Sequence, residues 1–161
     1  MRVLPADPDL SVIVSCDGAA RSNPGPAGIG VVVATEDGEI LEELGEGIGP
    51  ATNNVAEYRA AIKGFELAAE NGASRVLLRS DSRLMIEQLA GRFKVKNPTL
   101  QRLHREARTA MKAFESVTLK HVPREKNKEA DRLANEGVDA WLLEHGPYEP
   151  PLTSAPHLFD E

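Results

Sequence analysis

The chain has little of several things that would narrow its class. A single cysteine, Cys16, stands among 161 residues, so no intrachain disulfide framework and no thiolate zinc site can form within one chain. Cys16 sits inside an apolar run and reads as a small core residue. No apolar stretch approaches the roughly 18 residues that span a bilayer, and the first residues, MRVLPADPDL, contain no apolar segment of a signal peptide. A cytoplasmic location without a membrane partner is therefore expected. The chain has no internal repeats, and it has no overall positive charge: 19 Lys and Arg face 25 Asp and Glu, a net charge of -6. Taken whole, that balance argues against a polyanionic partner.

What is present reverses part of that conclusion. A length of 161 residues at 41% hydrophobic composition suits one domain with a buried core. The charges are segregated along it. Residues 92 to 128 hold eleven basic side chains against three acidic ones, a local excess of eight, and leave -14 for the remainder. A polyanion would be attracted locally, although a solvated basic helix face gives the same pattern.

Local patterning predicts alternating strands and helices. SVIVSCD (11–17) is β-branched and nearly all apolar, as a strand buried on both faces should be. AGIGVVVA and EILEELGEG follow, joined through Glu36, Asp37 and Gly38, which favours a hairpin. Val55, Tyr58, Ile62, Phe65 and Ala69 recur at helical spacing between Asn53 and Asn71, with Gly72 as the stop. RVLLRSD (75–81) reads as a second buried strand, followed by a short helix to about Ala90, closed by Gly91. Asn97 caps a further helix with Pro98 in its first turn. Leu100, Leu103, Ala107, Met111 and Phe114 form its core stripe, leaving Arg105, Arg108 and Lys112 on a basic outer face. SVTLKHV forms a last strand, PREKN a loop, and a final helix runs from about Asn127 through Trp141. From Pro147 four prolines fall within fifteen residues, which suits a disordered end or a linker to a further domain. The expected division is an extension over 1–10, a domain over 11–145 and a Pro-rich tail over 146–161.

The order β-β-β-α-β-α-α-β-α implies an α/β fold with a mixed five-stranded sheet, three antiparallel strands plus two parallel, flanked by helices. Sites in such sheets form at the carboxyl ends of strands. Asp17 and Asp81 each end a predicted strand, so parallel neighbours would bring the two carboxylates side by side. Adjacent half-buried anions need a cation, and oxygen-only ligands favour Mg²⁺ or Mn²⁺ over zinc. Glu57 adds to this: Ala61, Gly64 and Ala68 share its helix face and let that helix lie close to the sheet. Taken alone, Glu57 and Asp131 are acids near helix starts that complement the macrodipole. Four acids converging from two strand ends and two helix starts favour one metal site.

The segments DGAARSNPGPAG, TNNVAEYRA, SDSRLMIEQL and HVPREKNKEADRLANEG resemble, in order and spacing, the four signature segments of type 1 ribonuclease H, from about Val12 to Trp141. The resemblance implies a ribonuclease H-like fold and a monomeric endonuclease that cuts the RNA strand of RNA/DNA hybrids, leaving 5′-phosphate and 3′-hydroxyl ends. It implies that Asp17, Glu57, Asp81 and Asp131 hold two Mg²⁺ ions, with Mn²⁺ as a substitute. By the same resemblance Asp17 bridges the ions, Asp131 serves the nucleophile side, and Glu57 and Asp81 serve the leaving-group side. Arg124 matches a mobile loop residue assisting proton transfer or product release, with His121 as the alternative. Gly18, Asn23, Thr52, Asn53, Asn54, Arg83 and Asn127 match substrate-binding positions, and Gly18 and Gly25 would let a duplex approach. Turn and cap chemistry accounts equally for Asn23-Pro24-Gly25 and for Asn53. The link from Arg92 to Asn97 is too short for the helix that forms a basic protrusion in some relatives, which shifts substrate grip to Lys94, Lys96 and the next helix. A catalytically dead hybrid-binding domain is the competing reading, and the intact acids argue against it. Related exonucleases, integrases and resolvases match these motifs less well.

Overall fold

The computed structural model describes residues 4–152. Three strands form an antiparallel meander: β1 (Ser11–Ala20), β2 (Gly25–Thr35) and β3 (Ile40–Ala51). The β2–β3 turn falls at the expected Asp37-Gly38 step, where Gly38 adopts φ 93° and donates its amide to the Thr35 carbonyl at 3.0 Å. Helix α1 (Asn53–Glu70) then carries the chain to β4 (Arg75–Ser80). Helices α2 (Arg83–Leu89) and α3 (Pro98–Met111) lead to β5 (Ser116–His121), and a 3₁₀ turn (Arg124–Lys126) precedes α4 (Lys128–His145). The sheet order is β3-β2-β1-β4-β5, with β4 parallel to both β1 and β5. This is the mixed five-stranded sheet that the element order implied.

The two sheet faces are covered by different helices. Val12, Val14 and Cys16 of β1 point toward α1 and are fully buried, together with Phe65, Leu78, Met85 and Leu89. Gly64 sets the distance between α1 and the sheet: a Cβ there would lie 2.6 Å from Val14 Cγ1. On the opposite face α4 lies directly on the glycine-rich strands β2 and β3. A Cβ at Gly30 would fall 2.0 Å from the Ala130 carbonyl oxygen, so the strand must lack a side chain there. Ala130, Ala134 and Val138 of α4 are buried in this contact.

Four element ends differ from the sequence expectation. Strand β1 does not stop at Asp17 but continues to Ala20, because its ladder with β2 extends from Asp17↔Gly30 to Ala20↔Ala27. Strand β4 ends at Ser80, leaving Asp81 just beyond it. Helix α4 runs four residues past Trp141 to His145, and Gly146, at φ 76°, terminates it. Phe114 lies just past the end of α3 rather than on it, packed against Phe65 with ring centroids 6.1 Å apart. The connection over 90–97 contains no helix, as the short link required.

Leu4 and Asp7 tie the N-terminal extension to the end of α1, their amides donating to the Glu70 and Gly72 carbonyls at 3.0 and 2.8 Å. Residues 1–3 of that extension and 153–161 of the Pro-rich tail lie outside the described residues, and 147–152 carry no helix or strand. Among the described residues no helix is long and apolar enough to cross a membrane.

Candidate active site

The site arises where β1 outruns its parallel neighbour. Pairing between β1 and β4 ends at Ser15↔Arg79, so the backbone groups of Cys16 and Gly18 on that side lack a strand partner. Side chains take them instead. Asn127 Nδ2 donates to the Cys16 carbonyl at 2.9 Å, and the Gly18 amide donates to Glu57 Oε1 at 2.5 Å. The second bond fixes the Glu57 carboxyl at the end of the sheet. Asp17 lies beside it in β1, and Asp81 follows the last residue of β4.

The resulting cluster is tight and largely buried. One carboxylate oxygen from each of Asp17, Glu57 and Asp81 lies within 4.8 Å of the others. Asp17 is 5% and Glu57 7% exposed. Asp131, in the first turn of α4, faces the same cleft of about 540 Å³ from the other side, its Oδ1 3.8 Å from Arg124 Nη2. The four expected acids therefore share one cleft, three of them in a compact group.

Such a group is electrostatically uncomfortable without a cation. Burial, and then the neighbouring Glu57 carboxyl, push the Asp17 carboxyl well above the usual carboxylate range. Burial also raises Glu57, against the opposing effect of the adjacent Asp17 carboxyl and of the Gly18 amide bonded to it. Glu57 Oε2 is buried with no hydrogen-bond partner. A metal ion on this oxygen-only donor set would satisfy that atom and offset the repulsion. Cys16, below the cluster, is held far above the usual thiol range by burial first and by the acids second, so it stays a protonated core residue.

The remaining sequence-derived positions separate into rim, scaffold and surface. Asn53 lines the cleft; its Oδ1 accepts the Ala20 amide at 3.0 Å, while its own amide donates to Asn23 Oδ1 at 2.9 Å. These bonds join the β1–β2 turn to the start of α1. The cap of α1 is Thr52, whose hydroxyl accepts the Val55 amide at 3.2 Å, and not Asn53. Arg124 lines the cleft at 80% side-chain exposure. His121 lies on β5, exposed and outside the cleft lining, opposite Ser80. Asn54 is half-buried and Arg83 exposed at the first turn of α2, both outside the lining.

Three of these positions also serve the fold itself. Gly18 lines the cleft, and its missing side chain makes room for α1: a Cβ there would meet the Ala56 backbone carbon at 2.2 Å. At Gly25 a Cβ would fall 1.9 Å from the Arg21 carbonyl oxygen, so this glycine serves the turn. Asn127, expected at the substrate, is buried beneath the cleft and serves the Cys16 carbonyl.

Sequence reasoning missed Arg21 and Asn135, which also line the cleft. Asn135 stands four residues after Asp131 on one helix face, a spacing that brings side chains together, and this was the available signal. It also missed the buried bond from the Tyr58 hydroxyl to Gln88 Oε1 at 2.7 Å, which links α1 to α2.

A mixed sheet in this order, with acids converging from β1, α1, the end of β4 and α4, defines the ribonuclease H-like class of fold. Comparison with known proteins agrees. A family model described as reverse transcriptase-like matches residues 15–137. A ribonuclease HI of Halobacterium salinarum is 46% identical over 123 residues, 76% of this chain and 62% of the relative. The crystal structure of the RNase H1 from that archaeon superposes with a TM-score of 0.79 at 45% identity, covering 81% of this chain and 98% of that one. A bifunctional protein of Mycobacterium tuberculosis is 46% identical over 132 residues, 81% of this chain but 36% of the relative, so this chain spans about a third of its length. The solved N-terminal RNase H domain from that bacterium gives a TM-score of 0.79 at 45% identity and is covered completely. The chain belongs to the ribonuclease HI family.

Proposed function

We propose that the protein is a divalent-metal-dependent endonuclease that hydrolyses the RNA strand of RNA/DNA hybrids. The observation that carries this reading is the buried oxygen cluster of Asp17, Glu57 and Asp81, with its unpartnered Glu57 Oε2. A solved RNase H1, 43% identical to this chain with a TM-score of 0.76, is in complex with an RNA/DNA hybrid, which supports the choice of substrate.

The donor set fits Mg²⁺, with Mn²⁺ as a substitute, because every ligand on offer is a hard carboxylate oxygen. Asp17, Glu57 and Asp81 would hold one ion, and Asp17 with Asp131 a second. When bound, the ions supply an activated water and charge stabilisation for the departing 3′ oxygen. The water oxygen bonds to phosphorus as the P–O3′ bond breaks, leaving a 5′-phosphate and a 3′-hydroxyl. Arg124, exposed beside the cleft with Nη2 3.8 Å from Asp131 Oδ1, assists proton transfer or product release. Asn53 and Asn23 on the rim offer amides to the sugar-phosphate backbone, where 2′-hydroxyls distinguish the RNA strand. Thr52 and Arg83 flank that surface, and Lys94, Lys96 and the outer face of α3 supply positive charge along the duplex. Residues 11–145 form the catalytic domain, which acts as a cytoplasmic monomer, with 146–161 as a Pro-rich tail or linker.

The test uses end-labelled RNA/DNA hybrid, duplex RNA, duplex DNA and single strands, incubated with Mg²⁺ and either wild type or Asp17→Asn. Internal cuts are expected in the RNA strand of the hybrid alone, and none with the variant. Cutting of duplex DNA, or an unimpaired variant, refutes the assignment.

A further inference from the structure

Asp131 lies outside the compact group of three, half-buried in the first turn of α4, and of those acids it is Asp17 on which its carboxyl bears. A chain of side chains from the β1–β2 turn reaches it. Arg21 Nη1 binds Asp139 Oδ1 at 2.6 Å, while Nη2 lies 3.4 Å from both the carbonyl and the Oδ1 of Asn135. Asn135 Nδ2 in turn donates to the Asp131 carbonyl at 3.0 Å and lies 3.5 Å from Asp131 Oδ1.

The chemistry of these groups gives the chain a direction. A guanidinium carries only donors, so the Asn135 amide must present its oxygen to Arg21. Its NH₂ is then forced toward Asp131, where it can only donate. Without Arg21 the amide oxygen loses its donor, and the NH₂ is held only by the Asp131 carbonyl and carboxylate, so the side chain is less firmly placed. Arg21 reaches this geometry through its planar fork, holding Asp139 with one nitrogen and Asn135 with the other, which a single lysine ammonium cannot reproduce. The Arg21–Asp139 pair is largely exposed, at 43% and 62%, so it contributes little to stability. Its consequence is orientation.

We propose that Arg21 and Asn135 are positioning residues for the candidate metal ligand Asp131: Arg21 fixes the orientation of the Asn135 amide, and Asn135 fixes the Asp131 carboxylate. The proposal rests on the metal-dependent reading above. Outer partners of metal-binding carboxylates typically change metal affinity about 10- to 100-fold when removed, and a change of that size is expected here.

The experiment measures two quantities on wild type, Arg21→Ala, Arg21→Lys, Asn135→Ala and Asn135→Asp. One is the rise in Tm produced by titrating Mn²⁺ into EDTA-treated protein. The other is the Mg²⁺ concentration for half-maximal hybrid cleavage. For both alanine variants the metal-free Tm should stay within about 3 °C of wild type. The Mn²⁺ midpoint and the Mg²⁺ requirement should both rise about tenfold or more, with most of the rate recovered at saturating metal. Neither Arg21→Lys nor Asn135→Asp, which lacks the NH₂ donor to Asp131, should restore the midpoint. Alanine variants that match wild type in both titrations overturn the positioning role and leave the nuclease reading intact. A wild type whose Tm does not respond to Mn²⁺ and which cuts no hybrid overturns both.

Discussion

Replacing Asp17 with asparagine should make the metal-free protein more stable while destroying its activity. The carboxylate oxygens of Asp17, Glu57 and Asp81 lie within 4.8 Å of one another. At an effective dielectric constant of about 20, two unit charges at that separation repel by roughly 3 kcal/mol. Protonation avoids part of this cost, and Asp81 is only half-buried, so a net relief of about 1–3 kcal/mol is expected. For a domain of this size that corresponds to a rise in Tm of roughly 3–10 °C. The new amide also offers Glu57 Oε2 the donor it lacks. The gain depends on pH with a definite sign. Asp17 and Glu57 have folded-state pKa values raised above the ordinary carboxylate values, mainly by burial, so the folded protein binds more protons than the unfolded chain. Wild-type stability is then complete below about pH 4 and declines as pH rises toward and through the raised values. Scanning calorimetry in EDTA from pH 4 to pH 8 should therefore show the variant drawing ahead as pH increases. Added Mg²⁺ should raise the wild-type Tm and leave the variant nearly unchanged. A variant less stable than wild type at pH 8 in EDTA, or a Tm difference independent of pH, would refute the reasoning.

Three further substitutions separate scaffold from chemistry. Gly18→Ala places a methyl group 2.2 Å from the Ala56 backbone carbon, so α1 must shift and carry Glu57 with it. A loss of about 1–3 kcal/mol in urea denaturation is expected, together with a marked loss of hybrid cleavage. Arg124→Ala removes a side chain that is 80% exposed, so Tm should hold. A fall in kcat of roughly 10²-fold is expected from the assistance to proton transfer or product release proposed for it, whereas His121→Ala should leave kcat within about twofold because His121 lies outside the cleft. Steady-state kinetics on a labelled hybrid decide between the two residues.

Much of this was legible in the chain itself, because it is encoded locally. Alternation and β-branching mark the strands, the 3.6-residue spacing of Val55, Tyr58, Ile62 and Phe65 marks α1, and Asp37-Gly38 marks the hairpin. Asp17, Glu57, Asp81 and Asp131 stood out because acids are rare at strand ends and conspicuous together, and their segments carried the family resemblance. The small residues Ala61, Gly64 and Ala68 likewise announced a helix lying close to the sheet, as the approach of Gly64 to Val14 shows.

What the tertiary structure decided depends on partners distant in sequence. Local pattern could not show that β1 continues through Asp17, since its extension is held by the ladder to β2 after β4 has ended. Nor could it show that the freed backbone groups of Cys16 and Gly18 would be claimed by Asn127 and Glu57, 111 and 39 residues away. The same limit applied to Arg21 and Asn135, whose contact spans 114 positions. Periodicity records which face of an element is buried, whereas hydrogen-bond satisfaction at an element's end is set by whatever other segments the fold brings there. The sequence by itself determined the elements and supplied the acids; the folded chain decided which backbone and side-chain groups orient them.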